Sequence, residues 1–228
     1  MTRALIGLVV VVIAAALLGG CSGGAPPAAN YVLVYLKTGP ATPTAEQSAE
    51  VFKGHMANMR RLADEKKLII AGPFARPRDR SWRGLFLFDT SSIDAAREWA
   101  ATDPGMPAGV FVAEFRSLRA STVLRRLSEF EKQLPKAEPK PTEPPLNVRA
   151  YVMVTADDAD RAAKAIANSP FAGRTVWCAR FRDSGGGVFV LDVAKADEVA
   201  SALPDDGVDG WWSTISLMRL APEAKTLP

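Results

Sequence analysis

Gly84-Leu85-Phe86-Leu87-Phe88-Asp89 and Gly187-Val188-Phe189-Val190-Leu191-Asp192 are one pattern written twice. Each is a glycine, a run of apolar residues rich in Phe, Val and Leu, and an aspartate, which reads as a short strand closed by a turn. The agreement extends in both directions. Upstream, Tyr31-Val32-Leu33-Val34 is answered by Tyr151-Val152-Met153-Val154. Downstream, Asp103 follows Gly84 at the same offset at which Asp206 follows Gly187. Matching motifs in matching register are what an internal duplication leaves behind.

Working outward from the repeat gives the element order of each half. In the first, Tyr31–Leu36 is a strand ended by Gly39-Pro40, and Thr44 with Gln47 forms a capping box that opens a helix to about Glu65. Lys67–Phe74 and Gly84–Phe88 are strands. Ser91 with Asp94 caps a second helix, which Asp103-Pro104-Gly105 stops, and Val110–Phe115 is a strand. The order β-α-β-β-α-β is the ferredoxin-like pattern. The second half repeats it, with strands at Tyr151–Val154, Thr175–Phe181, Gly187–Leu191 and Trp211–Met218 and helices at Asp157–Ala167 and Ala196–Leu203. The expected fold class is α+β, two tandem ferredoxin-like (βαββαβ) modules. A ferredoxin-like sheet carries helices on one face, so its other apolar face needs a cover. Two such sheets packed face to face give a dimeric α+β barrel-like pseudo-dimer within one chain; a homodimer of two chains is the rival arrangement.

The N-terminus reads as an export signal. Arg3 precedes the apolar run Ala4–Leu18, and Leu18-Gly19-Gly20-Cys21 resembles the bacterial lipobox, in which the cysteine receives lipid. The run is short for a membrane span, which takes about 20 apolar residues. The expected organisation is a lipoprotein signal peptide at 1–20, a flexible tether at 21–30 lipidated at Cys21, and a first module at 31–120. A helix (Ser121–Gln133) plus proline-rich linker then covers 121–147, followed by a second module at 148–220 and a tail at 221–228. Such a protein is held to the membrane through its N-terminal lipid in the bacterial cell envelope. Ser22, where an aspartate resembles an inner-membrane retention signal, favours the outer membrane facing the periplasm.

Composition narrows the function classes. The net charge is +3 and the charges are interspersed, so no nucleic-acid footprint is present. The densest basic patch, Arg76, Arg78, Arg80 and Arg83, reads as a solvated hairpin loop rather than an anion site. Lipidation of Cys21 leaves Cys178 without a partner, in a strand-like run that suits a buried, inert thiol. One histidine cannot build a multi-histidine metal site. Gly185-Gly186-Gly187 precedes a strand, not a helix, so it is no phosphate loop. No cofactor signature is present. Trp177, Trp211 and Trp212 suit core packing better than a pocket.

His55 is the only histidine. Stepping the helix at about 100° per residue from Phe52, Leu62, Met59, Ala63 and Met56 fall within roughly 80° of it, and His55 falls roughly 60° away. The imidazole therefore faces the sheet, where it needs a hydrogen-bond partner. A satisfied core histidine is one reading; a general acid or base oriented by a carboxylate is the other. Asp103 is the candidate partner. Asp before Pro-Gly is ordinary helix-stop chemistry, and Asp206 keeps the carboxylate in a half whose first helix has no histidine. Against that, a carboxylate at a helix C-terminus meets an unfavourable dipole that a protonated histidine would offset.

Tyr31–Arg119 resembles the YCII-related domain. The matching features are the opening hydrophobic strand, His55 in mid-helix, Gly72-Pro73 after the second strand, Gly84 opening the third and Asp103-Pro104 before the last. The resemblance implies a dimeric α+β barrel with a histidine–aspartate dyad, His55 and Asp103, in a cleft that takes a small molecule. It implies lyase or dehydrochlorinase-type chemistry in some relatives. The second half matches only as a degenerate copy. A non-catalytic ligand-binding or scaffold lipoprotein is the alternative. Haem ligation by His55, by analogy with related barrels, has only the lone histidine behind it.

Overall fold

The computed structural model describes residues 27–75, 77–134 and 147–228. The signal segment, Cys21, most of the tether, Arg76 and most of the proline-rich stretch lie outside the described residues. In chain order the elements are β1 (Ala28–Thr38), α1 (Ala45–Asp64), β2 (Leu68–Ala75), β3 (Trp82–Phe88), α2 (Ile93–Ala101), β4 (Phe111–Ser121), α3 (Leu127–Lys132), β5 (Val148–Ala156), α4 (Ala159–Ala167), β6 (Thr175–Phe181), β7 (Gly187–Leu191), α5 (Ala196–Ala202) and β8 (Gly207–Thr214).

The strands form one closed antiparallel barrel in the order β1-β3-β2-β8-β5-β7-β6-β4. Each half contributes a ferredoxin-like sheet, β4-β1-β3-β2 and β8-β5-β7-β6, so the two modules pair within the chain. Alternation along β1 shows how. Tyr31, Leu33 and Tyr35 point into a core shared by both modules, with Met153, Trp177 and Trp211 from the other side. Val32, Val34 and Leu36 point outward beneath the helices of the first module. Both faces of β1 are buried, which explains its nearly unbroken apolar sequence. Aromatic side chains, among them Tyr31, Tyr151, Trp177 and Trp211, are buried in this shared core.

The duplication is visible atom by atom. The Tyr31 hydroxyl donates to the Ser121 carbonyl at 3.1 Å, and the Tyr151 hydroxyl to the Thr214 carbonyl at 3.0 Å. The same two residues then end their strands. Ser121 Oγ accepts from the Val123 N–H and Thr214 Oγ1 from the Ser216 N–H, turning the chain into short 3-10 helices at Thr122–Arg126 and Ile215–Arg219. This corrects two expectations. The last strand is Gly207–Thr214 rather than Trp211–Met218, and Ser121–Gln133 is a 3-10 turn followed by the short α3 rather than one helix. β1 begins at Ala28, so the last residues of the expected tether are paired with β4. Ser92, not Ser91, caps α2, because its side chain reaches the Ala95 N–H at 3.1 Å. The capping box of Thr44 and Gln47 is present.

The two junctions that close the barrel are built alike with opposite charges. At β2–β8, Arg78 in the β2–β3 hairpin donates through its backbone N–H and its guanidinium to Asp209 of β8, whose side chain is fully buried. At β4–β6, Asp183 after β6 accepts two hydrogen bonds from Arg116 of β4, at 3.1 and 3.0 Å. Arg116 and Asp209 stand at equivalent positions, each five residues before the strand-ending hydroxyl of Ser121 or Thr214. Module one carries arginine on both its loop and its strand, and module two carries aspartate on both. Pairing like with like would set arginine against arginine or aspartate against aspartate. Arg78 is exposed, as the solvated-loop reading expects, and is nonetheless paired with Asp209.

Candidate functional site

Helix α1 sets the site. Its buried residues are Asn58 and Leu62, while Phe52 is 61 % exposed. The face turned to the sheet is thus rotated by roughly 90° from Phe52, and His55 lies within it. Periodicity alone missed this because Asn58 is polar. Asn58 Oδ1 accepts from Arg61 and from the Thr102 hydroxyl, which ties α1 to the end of α2.

That tie brings the loop after α2 against His55. His55 Nδ1 lies 2.5 Å from Asp103 Oδ2, with the imidazole 14 % exposed and the carboxylate fully buried. A carboxylate only accepts, so Nδ1 carries the proton and Nε2 is left as the acceptor. No partner takes Nε2 among the described residues. The other carboxylate oxygen, Oδ1, accepts from the Gly105 N–H at 2.9 Å. Asp103 therefore serves the turn and the histidine together, where the sequence had set these as alternatives. Two glycines make room. A side chain at Gly54 would meet the Pro104 ring at 2.7 Å, and one at Gly105 would meet the Phe111 ring at 2.3 Å. Gly54 is tolerated in mid-helix, at a cost of about 1 kcal/mol relative to alanine, because the Asp103-Pro104-Gly105 turn must come this close. The Phe86 ring stacks on the imidazole at 5.8 Å and the Phe111 ring is tilted against it at 5.4 Å.

His55 opens onto a cavity of about 540 Å³ on the helix side of the sheet. One wall is module one: Phe52, Met56 and Met59 of α1 and Gly72, Pro73 and Arg83–Phe86 of β2 and β3. The opposite wall is Glu131 and Leu134 of the connector, Val148 of β5 and Trp212–Thr214 of β8. Gly72 lets β8 come close, since a Cβ there would lie 1.8 Å from the Trp212 carbonyl oxygen. Trp212 is thus a cavity residue, against the core-packing expectation, whereas Trp177 and Trp211 are fully buried. Burial raises the Glu131 carboxyl pKa, an effect partly offset by a hydrogen bond with Thr214. Cys178 is buried, as expected, and desolvation pushes its thiol up to about 12. No group of three or more His, Cys, Asp or Glu able to hold a metal occurs among the described residues.

The second module treats its matching carboxylate differently. Asp206, fully buried at its side chain, accepts from Arg161 of α4 at 2.5 Å. Its partner is an arginine, in contrast to the histidine that pairs with Asp103 in module one.

Fold and geometry together define an α+β barrel of two ferredoxin-like modules, with the chlorite dismutase-like arrangement of eight antiparallel strands. Residues 31–116 match the family model of the YCII-related domain. A crystal structure of a protein assigned as a chlorite dismutase is similar over both modules. It covers 84% of this chain and 99% of its own, with a TM-score of 0.50 at 8% identity. A chlorite dismutase variant from Candidatus Nitrospira defluvii covers 86% of this chain and 95% of its own, with a TM-score of 0.49 at 8% identity. The 5-chloro-2-hydroxyhydroquinone dehydrochlorinase from Burkholderia phenoliruptrix, solved with 2,5-dihydroxybenzoquinone, is 21% identical. It covers 37% of this chain and 89% of its own, with a TM-score of 0.29. A comparison with curated proteins returned no match.

Proposed function

We propose that this protein is an envelope lipoprotein that performs lyase- or isomerase-type chemistry on a small molecule, with His55 as general acid and base and Asp103 as its orienting partner. The observation that carries the reading is the 2.5 Å contact of His55 Nδ1 with a fully buried carboxylate, made at the wall of a cavity. Asp103 fixes the tautomer, so Nε2 presents a lone pair to whatever the cavity holds. A proton made acidic by a neighbouring electron-withdrawing group passes from carbon to Nε2. The resulting carbanion then expels a leaving group or is reprotonated elsewhere, and the imidazolium returns the proton. Asp103 stabilises that imidazolium at the moment it forms. The Leu18-Gly19-Gly20-Cys21 sequence supports lipid attachment at Cys21, with the barrel held in the periplasm, on the outer membrane.

The test is proton exchange by the chain from Ser22 onward. A panel of small carbon acids is incubated in D2O, and deuterium incorporation or elimination is followed by NMR. His55→Ala is expected to abolish the activity and Asp103→Asn to lower it at least about 100-fold. Equal turnover in wild type and His55→Ala would overturn the reading. A ligand that binds tightly, is never converted and ignores both substitutions would favour a non-catalytic binding lipoprotein. Anchoring is tested separately. Cys21→Ser should lose both incorporation of a palmitate analogue and membrane fractionation, and a Cys21→Ser protein that keeps both would refute the lipid anchor.

A further inference from the structure

About a third of the cavity wall comes from outside the stretch that matches the YCII-related domain. Glu131, Leu134, Val148 and Trp212–Thr214 all lie beyond residue 116. Three of them, Leu134, Val148 and Trp212, add apolar side chains to a cavity that Phe52, Met56 and Met59 of α1 also line. Phe52, Val148 and Trp212 are among the exposed large hydrophobic residues of the chain, and all three line this one cavity. Large side chains left exposed at a concave site mark a surface that a ligand covers. The volume of about 540 Å³ suits an organic molecule rather than a peptide or a polymer.

The charges are sparse and unequal. Apart from His55, the cavity carries one cation, Arg83, and one carboxyl, Glu131. Among the described residues no ion pair engages either one. The neighbouring arginine in the hairpin, Arg78, is taken by Asp209, so Arg83 is the guanidinium left to meet a ligand. The carboxyl that could oppose an incoming anion, Glu131, is exposed to solvent and hydrogen-bonded with Thr214, and desolvation raises its pKa. An uncompensated guanidinium at the rim of an apolar site suits an oxyanion, which it binds through paired N–H donors.

From this we infer that the cavity takes a mostly apolar, flat small molecule bearing a single anionic group. Arg83 holds the anion, and Trp212 of the second module covers the apolar body against Phe52 and Met56. The inference rests on the proposed site at His55 and names its ligand class. The second module then acts as the specificity wall of an active site located in the first.

A matched pair of fluorescent probes tests this without reference to turnover. The first, 8-anilinonaphthalene-1-sulfonate, carries a sulfonate; N-phenyl-1-naphthylamine is the same ring system without it. Both are titrated into the chain from Ser22 onward, with circular dichroism confirming that each variant is folded. The sulfonate is expected to bind more tightly than the neutral probe. Arg83→Ala should weaken the sulfonate about tenfold while leaving the neutral probe unchanged, and Arg83→Lys should recover part of the loss. Trp212→Ala should weaken both probes alike. Arg80→Ala, in the same hairpin but outside the cavity, should change neither. Equal binding of the two probes, or equal loss in Arg80→Ala and Arg83→Ala, would overturn the inference. Because only binding is read, this result stands apart from whether His55 converts anything.

Discussion

The two modules carry the same buried aspartate in the same place and give it different partners. In the first, Asp103 meets His55, whose ring has a second nitrogen able to accept a hydrogen bond or a proton. In the second, Asp206 meets Arg161, a cation that does not release its proton. Both arrangements solve one structural problem, a carboxylate buried at the C-terminal end of a helix. Only the first leaves a nitrogen able to do chemistry. The aspartate in isolation is therefore a poor marker of function; its partner and the cavity beside it are what distinguish the two halves.

The comparison can be broken directly. The largest effects should fall on turnover and only in the first module: His55→Ala is expected to cost at least about 100-fold in rate, together with the stability cost of leaving the fully buried Asp103 carboxylate without its imidazole partner. Arg161→Ala should cost stability alone. It leaves turnover within about twofold, but strands a buried carboxylate at a cost of about 1–3 kcal/mol, which lowers the melting temperature by roughly 2–10 °C. Turnover that falls equally in both variants would erase the distinction between the halves.

The junctions sharpen the comparison next. Arg78→Ala removes the side-chain partner of the fully buried Asp209 and should cost about 2–3 kcal/mol in denaturant unfolding. Asp183→Arg at the more exposed β4–β6 junction should cost about 1 kcal/mol. Adding Arg116→Asp to it restores the pair with its charges swapped, and stability should return. Failure of the double variant to recover would show that charge does not help pair unlike modules.

The smallest effect is shared by both halves. Burial raises the Tyr31 and Tyr35 hydroxyls and the Cys178 thiol to about 12, and raises Tyr151 as well. Groups whose folded pKa lies above the unfolded one contribute stability below the unfolded value, about 8.5 for a thiol and about 10 for tyrosine. That contribution is lost as pH rises toward the folded values. Melting temperature should fall progressively above about pH 9, and native Cys178 should resist alkylation by iodoacetamide at pH 8. Rapid alkylation in the folded state would contradict its burial.

Much of this was written in the sequence. The repeat of Gly84–Asp89 in Gly187–Asp192, the spacing of Asp103 and Asp206, and the capping box at Thr44 determined the element order, the duplication and the α+β class. These are local signals, since turns, caps and apolar runs act over a few residues. The sequence also supplied both members of the His55–Asp103 pair. Tertiary structure alone decided that they meet, because their contact depends on Gly54 admitting Pro104 and on Asn58 turning α1 toward the sheet. It alone found Arg161 opposite Asp206, Asp209 beneath Arg78, and Trp212 across the cavity from Phe52. Those contacts join residues distant in the chain through barrel closure, and periodicity within one element carries no information about what another element brings against it.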